Sequence, residues 1–316
     1  MAKPLVSVLV AVHNAELWLE TAIESLFNQS LSDIEILAVD DASTDESLSL
    51  LESLALKDER LHVIHLEQNQ GQAVARNVAL RHAQGEYVCM LDADDWFSTD
   101  ALESAVEVFA KYPDADSVVF RLVKQYANGK EEPYQKNGVE LDMYSAVITG
   151  EEAFRLSLDW TLHGLYMVRR ELHMRYPYDE TYRLYSDDNT TRLHYLHSRK
   201  VAFCKGTYNY LQHAQSSTTA ITPQRFLHMM ANLVMKQTLI DEGVSSDIIS
   251  LYEKYRWQNY VGLLWFYFTY SHCFTPAERM QIKGQLRSVY GTFHRSLPYA
   301  VLYAEQKLRW FTKKCR

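Results

Sequence analysis

Residues able to do chemistry gather in four short polar stretches, each directly behind an apolar run. His13-Asn14 follows residues 5–12, Asp40-Asp41 follows 34–39, Asn69-Gln70-Gly71 with Arg76 follows 61–65, and Asp92-Ala93-Asp94-Asp95 follows 87–91. Carboxylates as close as Asp92, Asp94 and Asp95 repel one another without a counter-charge. A hard divalent cation with oxygen ligands supplies one. Such a cation can also bridge the phosphates of a nucleotide and neutralise charge on a departing diphosphate. Alone, D-x-D is a weak signal, and a solvated acidic loop is its bland reading. A second acidic pair, Asp187-Asp188, stands in the segment YSDDN. A carboxylate there could take the proton of an attacking hydroxyl. Ser186 and the two acids would equally cap a helix over residues 189–196.

These stretches need a scaffold, and the hydrophobic pattern supplies it. Residues 6–12 (VSVLVAV) form a continuous β-branched run, as a parallel strand buried on both faces requires. Further strands are expected over 34–39, 61–65 and 87–91. Helical spacing fills the gaps at 15–28, at 44–56 behind capping Ser43 and Thr44, and at 71–84 with Gly85 as C-cap. This βαβ alternation predicts an α/β fold with a doubly wound, mostly parallel sheet flanked by helices. In such sheets ligands bind at the carboxyl ends of the strands, where all four polar stretches fall. Beyond residue 99 we expect a helix over 101–111, strands over 117–126, 164–168 and 201–211, and a loop over 130–150. From 222 onward only helices are expected.

The segments VSVLVAVHNAE, VDDASTD, NQGQAVARN and GEYVCMLDADDW, in that order, resemble the family 2 glycosyltransferases of the GT-A fold. The resemblance is dense over residues 4–100 and looser to about 220. It implies transfer of a sugar from a nucleotide-sugar, most often a UDP-sugar, to an acceptor hydroxyl, with Mn²⁺ or Mg²⁺ and inversion at the anomeric carbon. By resemblance Asp41 contacts the nucleobase, and His13, where the family commonly has Tyr, stacks on it beside Asn14. Asn69 and Arg76 contact base or phosphate, Asp92 faces ribose or sugar, and Asp94 with Asp92 holds the metal. The family's base lies in an E-D pair, for which Asp187-Asp188 stands here; ungapped alignment makes Asp188 the base, with Asp187 the alternative. The segment YNYLQHAQS resembles the family's Y-x-Y-R-x-H-x-x-S, so His213 and Ser216 could close over the diphosphate; Leu211 replaces the customary Arg. A surface His without a ligand role is the competing reading of His213. His163, in WTLHGLYMV, faces the acceptor or, as preferred, the core.

The resemblance implies a GT-A domain over 1–220, with a nucleotide-binding half (1–100) and an acceptor half (101–220). A helical region follows over 221–316. Two rivals remain: an inactive nucleotide-sugar-binding scaffold, and a sugar-phosphate nucleotidyltransferase. The second needs a Gly-rich basic loop where this chain has Val12-His13-Asn14-Ala15.

Charge adds a second contrast. The chain carries 32 Lys+Arg against 40 Asp+Glu, which argues against a nucleic-acid partner. Residues 1–120 hold six Lys/Arg and 22 Asp/Glu, whereas 279–316 hold nine Lys/Arg and one acid. A basic tail suits contact with an anionic lipid surface, and many acceptors in the family are lipid-linked. The aromatic stretch 252–274 reads as such a surface or, preferably, as a packed helical core. Gln306-Lys307-Leu308-Arg309-Trp310 fits the Q-x-x-R-W of membrane-embedded synthases but lies far from the acidic pair, so coincidence is the better account. The four cysteines form no C-x-x-C pair, and no run is apolar enough to span a bilayer. The expected place is the cytoplasm, peripheral on the cytoplasmic face of the membrane. The expected task is polysaccharide, lipopolysaccharide or other cell-envelope glycan synthesis.

Overall fold

The computed structural model describes residues 3–136, 139–140, 146–181, 185–213 and 221–293. The chain divides into two compact units, Met1–Ser217 and Thr218–Arg316. The first begins β1 (Val6–Val12), α1 (Leu19–Phe27), β2 (Ile34–Asp40), α2 (Ser47–Ala55), β3 (Leu61–His65), α3 (Gln72–His82), β4 (Tyr87–Asp92). It continues β5 (Trp96–Phe97), α4 (Ala101–Lys111), β6 (Ala115–Tyr126), β7 (Glu131–Pro133), β8 (Gln135–Lys136), β9 (Val139–Glu140) and β10 (Val147–Thr149). It ends α5 (Gly150–Leu158), β11 (Tyr166–Arg169), α6 (Arg170–Arg175), α7 (Ser186–His197), β12 (Lys200–Gln212).

One mixed sheet runs β10-β12-β6-β11-β4-β1-β2-β3. The strands β4-β1-β2-β3 pair in parallel, as the βαβ alternation predicts. β11 pairs antiparallel with β4 and β6, which joins the two halves of the sheet. β1 packs both faces. Val6, Val8, Val10 and Val12 meet Leu19, Ile23 and Leu26 of α1 on one side, and Leu9 meets Ala75, Ala79 and Leu80 of α3 on the other. Each fully buried side chain of this kind contributes about 1.5–3 kcal/mol, so the strand is anchored where its last residue enters the site.

Several expectations need correction. α1 starts at Leu19, not 15, because the chain from Asn14 to Glu16 is tied to the next loop: Ala15 N–H donates to Ser47 Oγ (2.8 Å) and Glu16 N–H to Asp45 Oδ2 (3.2 Å). Ser43 and Thr44 cap nothing; α2 starts at Ser47, and Ser43 Oγ instead accepts the Asn14 N–H (3.1 Å). Gly85 is not a C-cap. A Cβ there would sit 2.6 Å from Ser7 N, so glycine is needed for close packing against β1. The stretch 130–150 is not a loop throughout, since it contains β7 to β10. Helix α7 begins at Ser186 itself, behind a left-handed Tyr185, so Asp187 and Asp188 lie in its first turn.

The second unit holds α8 (Leu227–Asp241), α9 (Ser246–Tyr270) and α10 (Pro276–Tyr290), preceded by the 3-10 turn Pro223–Phe226. Its aromatic stretch packs inward: Trp257, Tyr260 and Tyr267 are buried with Phe226 and Phe293. Among the described residues no helix is long and apolar enough to cross a membrane. The tail 300–316, including the Q-x-x-R-W segment, lies outside the described residues.

Candidate functional site

The carboxyl ends of β1, β2 and β4 open into a cleft of about 330 Å³. His13, Asn14, Asp41, Asp92, Asp94 and His213 line it, together with Trp18, Gln72 and Tyr210. Six of the expected residues are therefore brought together. Asn69 is half-buried in the loop before Gln70 and is not in the lining. Arg76, Asp187 and Asp188 are not in it either. Ser216 lies outside the described residues.

The loops behind β1, β2 and β3 are held by side chains reaching neighbouring backbones. Asp41 is buried, and its two carboxylate oxygens accept the N–H groups of Gln70 (2.7 Å) and Gly71 (2.8 Å). Gly71 has a φ of 96°, which a side chain would oppose. Asn14, itself at a φ of 51°, accepts the Thr44 N–H at Oδ1 (2.8 Å). The His13 ring nitrogen Nδ1 lies 2.9 Å from the Asp41 carbonyl. Backbone-to-carboxylate hydrogen bonds of this type contribute about 1.5–3 kcal/mol each. The cleft floor is thus built before any ligand enters.

The D-x-D segment places its three acids in three environments. Asp92 Oδ1 accepts from Arg76 Nη2 (2.5 Å) and Gln72 Nε2 (3.3 Å). Arg76 is buried, with its guanidinium 5.3 Å from the Tyr178 ring centre. Burial opposes its charge, but Asp92, Tyr178 and Asp187 outweigh that and hold it protonated. Asp94 points Oδ2 at His213 Nε2, 2.8 Å away. Burial first, then Asp92, pushes its pKa up. Asp95 is fully buried and structural: Tyr208 donates its hydroxyl to Oδ2 (2.8 Å) and Leu211 N–H donates to Oδ1 (2.8 Å). The same Tyr208 oxygen accepts the Asp92 N–H (3.1 Å). Burial, Asp92 and Asp94 push the Asp95 carboxyl strongly upward, toward its neutral form.

The second acidic pair sits apart from the cleft lining. Asp188 Oδ2 lies 3.8 Å from Nη1 of Arg192, one helical turn on, and the Arg192 guanidinium stacks 5.1 Å from the Trp160 ring centre. Asp187 lines a small internal cavity with Tyr166, His173, Tyr178 and Thr191, and burial and then Asp188 raise its pKa. His163 belongs to the core: burial pushes its pKa down to about 4, and its carbonyl accepts the Tyr195 hydroxyl (2.6 Å).

Two contributors escaped the sequence reading. Trp18 packs its ring 4.5 Å from that of His213, and Tyr208 bridges Asp92 and Asp95. Both act across more than a hundred residues of chain, so only the aromatic positions themselves signalled them.

Comparison with known proteins agrees with this geometry. The fold is that of GT-A glycosyltransferases. It aligns with S. aureus TarS 1–349 in complex with UDP-GlcNAc at a TM-score of 0.66 and 20% identity, over 90% of this chain and 81% of that one. It also aligns with the mannosyltransferase PcManGT from Pyrobaculum calidifontis in complex with GDP-Man and Mn2+, at 0.55 and 21% identity, over 98% and 81%. Residues 7–187 match the model of glycosyl transferase family 2, and the chain belongs to that family. Among curated relatives, the putative teichuronic acid biosynthesis glycosyltransferase TuaG of Bacillus subtilis is 47% identical over 105 residues, 33% of this chain and 42% of TuaG. An uncharacterized glycosyltransferase of Haemophilus influenzae is 43% identical over 103 residues, 33% of this chain and 41% of its own length. The chain thus spans about two fifths of the relatives it matches.

Proposed function

We propose that the chain is an inverting, metal-dependent glycosyltransferase that moves a sugar from a UDP-sugar to a hydroxyl of a polysaccharide or lipid-linked glycan. The observation that carries this reading is the charge of the cleft. Asp41, Asp92 and Asp94 line it, and no Lys or Arg does among the described residues. A nucleoside diphosphate is itself anionic and needs a cation there. The donor set fits one. Asp94 Oδ2 and His213 Nε2 are 2.8 Å apart, and His213 Nδ1 is buried without a hydrogen-bond partner. Among the described residues no three His, Cys, Asp or Glu side chains form a ready-made cage. That suits Mg²⁺ or Mn²⁺, which take one or two carboxylates and complete their shell with phosphate and water. Asp94 would hold the ion with Asp92 beside it, and the ion would stabilise charge on the departing diphosphate.

The other roles follow the cleft. Asp41 and His13 take the uracil, and Asn14 shapes the same wall. Asn69 supports this wall through the loop it precedes. Arg76 is sealed behind Asp92, so it acts by aiming that carboxylate at ribose or sugar. His213 and Ser216 close the diphosphate end. Asp188 is the general base, with Arg192 as its counter-charge, while burial raises the pKa of Asp187. The similarity to TuaG, named for teichuronic acid biosynthesis, supports a cell-envelope glycan as product. The 1–220 and 221–316 regions serve as catalytic domain and helical appendage. The basic tail keeps the enzyme peripheral on the cytoplasmic face of the membrane.

The test is release of UDP from a panel of UDP-sugars with Mn²⁺. Turnover should vanish in EDTA, and Asp94→Ala should lower it by about a hundredfold or more. Wild-type turnover that survives EDTA would sink the metal reading. Deleting residues 300–316 should release the protein from anionic vesicles and spare turnover; vesicle binding that persists would reject the tail as the anchor.

A further inference from the structure

Asn77 follows Arg76 on α3 and is buried, yet its carboxamide does not serve its own helix. It reaches a segment a hundred residues away. Asn77 Nδ2 donates to the Tyr178 carbonyl (2.8 Å) and to Glu180 Oε1 (2.8 Å), and Tyr178 N–H donates back to Asn77 Oδ1 (3.0 Å). Both ends of the amide are used, so a side chain completes a backbone pairing that no strand supplies. The pairing puts the Tyr178 ring beside the Arg76 guanidinium, with its hydroxyl 3.5 Å from Met90 Sδ on β4. Arg76 in turn holds Asp92 at the cleft. Tyr178 also lines a small cavity with Asp187, which α7 carries with Asp188 in its first turn.

We propose that Asn77 and Tyr178 form a clamp that registers the acidic pair of α7 against the donor cleft, with Asn77 as a positioning residue for the sugar transfer. The inference rests on the glycosyltransferase reading for its use, but the clamp itself is a statement about geometry. Arg76 and Asp92 ride on α3 and β4, and their hydrogen bond does not pass through Asn77. Loss of the clamp therefore loosens the base side and leaves the donor side in place.

Asn77→Ala and Tyr178→Leu test this separately: the first removes the hydrogen bonds, the second the ring over Arg76. In each variant that folds, kcat for UDP release from the best UDP-sugar should fall about tenfold or more, since a small misplacement of a reacting group is costly. The Kd for UDP with Mn²⁺ should stay within about threefold, a split that general loosening of the fold would not produce. Amide exchange over residues 178–188 should quicken while residues 6–40 keep wild-type rates. Equal losses in kcat and UDP affinity, or unchanged exchange over 178–188, would overturn the clamp. If the wild type turns over no UDP-sugar, the functional reading fails and the exchange result alone decides the clamp.

Discussion

Asp94 and Asp188 are the same residue type at opposite ends of one catalytic reading, and their surroundings differ in kind. Asp94 stands in a cleft whose described lining holds acids and two histidines but no Lys or Arg. Asp188 sits at the start of a helix with its own arginine one turn away. The first arrangement leaves charge for a ligand to neutralise. The second settles charge within the protein, so that the carboxylate can receive a proton without importing an ion. A side chain's chemistry is thus assigned by its counter-charges rather than by its identity.

The sharpest way to break this comparison is to remove the base. Asp188→Asn should cut sugar transfer by about a thousandfold, within the range expected for general-base loss, while UDP binding with Mn²⁺ persists. Asp187→Asn should cost less; the reverse order, read in steady-state kcat, would move the base to Asp187. Next, Arg192→Met should take away the guanidinium one helical turn from the partly buried Asp188. Stripping one partner from such a pair costs about 3–5 kcal/mol, and urea denaturation should register it. A variant as stable as wild type would mean that Asp188 is not compensated as described.

The smallest expected effect is pH-dependent and concerns Asp95. Its folded-state pKa lies above the unfolded value, first through burial and then through Asp92 and Asp94. The protonated carboxyl therefore contributes stability below the unfolded pKa, and that contribution is lost as pH rises through the folded value. Asp95→Asn, which has no charge to bury, should gain on the wild type as pH rises. In EDTA the difference in Tm should widen between about pH 5 and pH 8. A difference that stays flat would show Asp95 to be ionised throughout.

The first hundred residues are the more legible part, for a physical reason. Strands buried on both faces must be continuously apolar, so β1, β2 and β4 announce themselves, and the polar residues that follow must lie at their ends. The helix starts were less legible. Ser43 looked like a cap, but its hydroxyl serves Asn14 across the loop, and local sequence cannot reveal a partner 29 residues away. Gly85 looked like a helix end, whereas its requirement is the backbone of Ser7. Beyond residue 100 the short strands β7 and β8 are polar and partly exposed, so no alternation marks them. The acidic pair was visible in the sequence, but Arg192, Trp160 and Tyr208 were not, because each matters only through a neighbour that folding provides.

β12 closes the account of the site. Its thirteen residues pair with β10, with β6 and with β5 in turn, and its register against β6 shifts between Phe203 and Thr207. Beyond that shift it delivers Tyr208 to Asp95 and His213 to Asp94. Side chains alternate faces along a strand, so one residue gained or lost after the irregularity would turn Tyr208 away from Asp95. This strand acts as the ruler against which the rest of the site is measured.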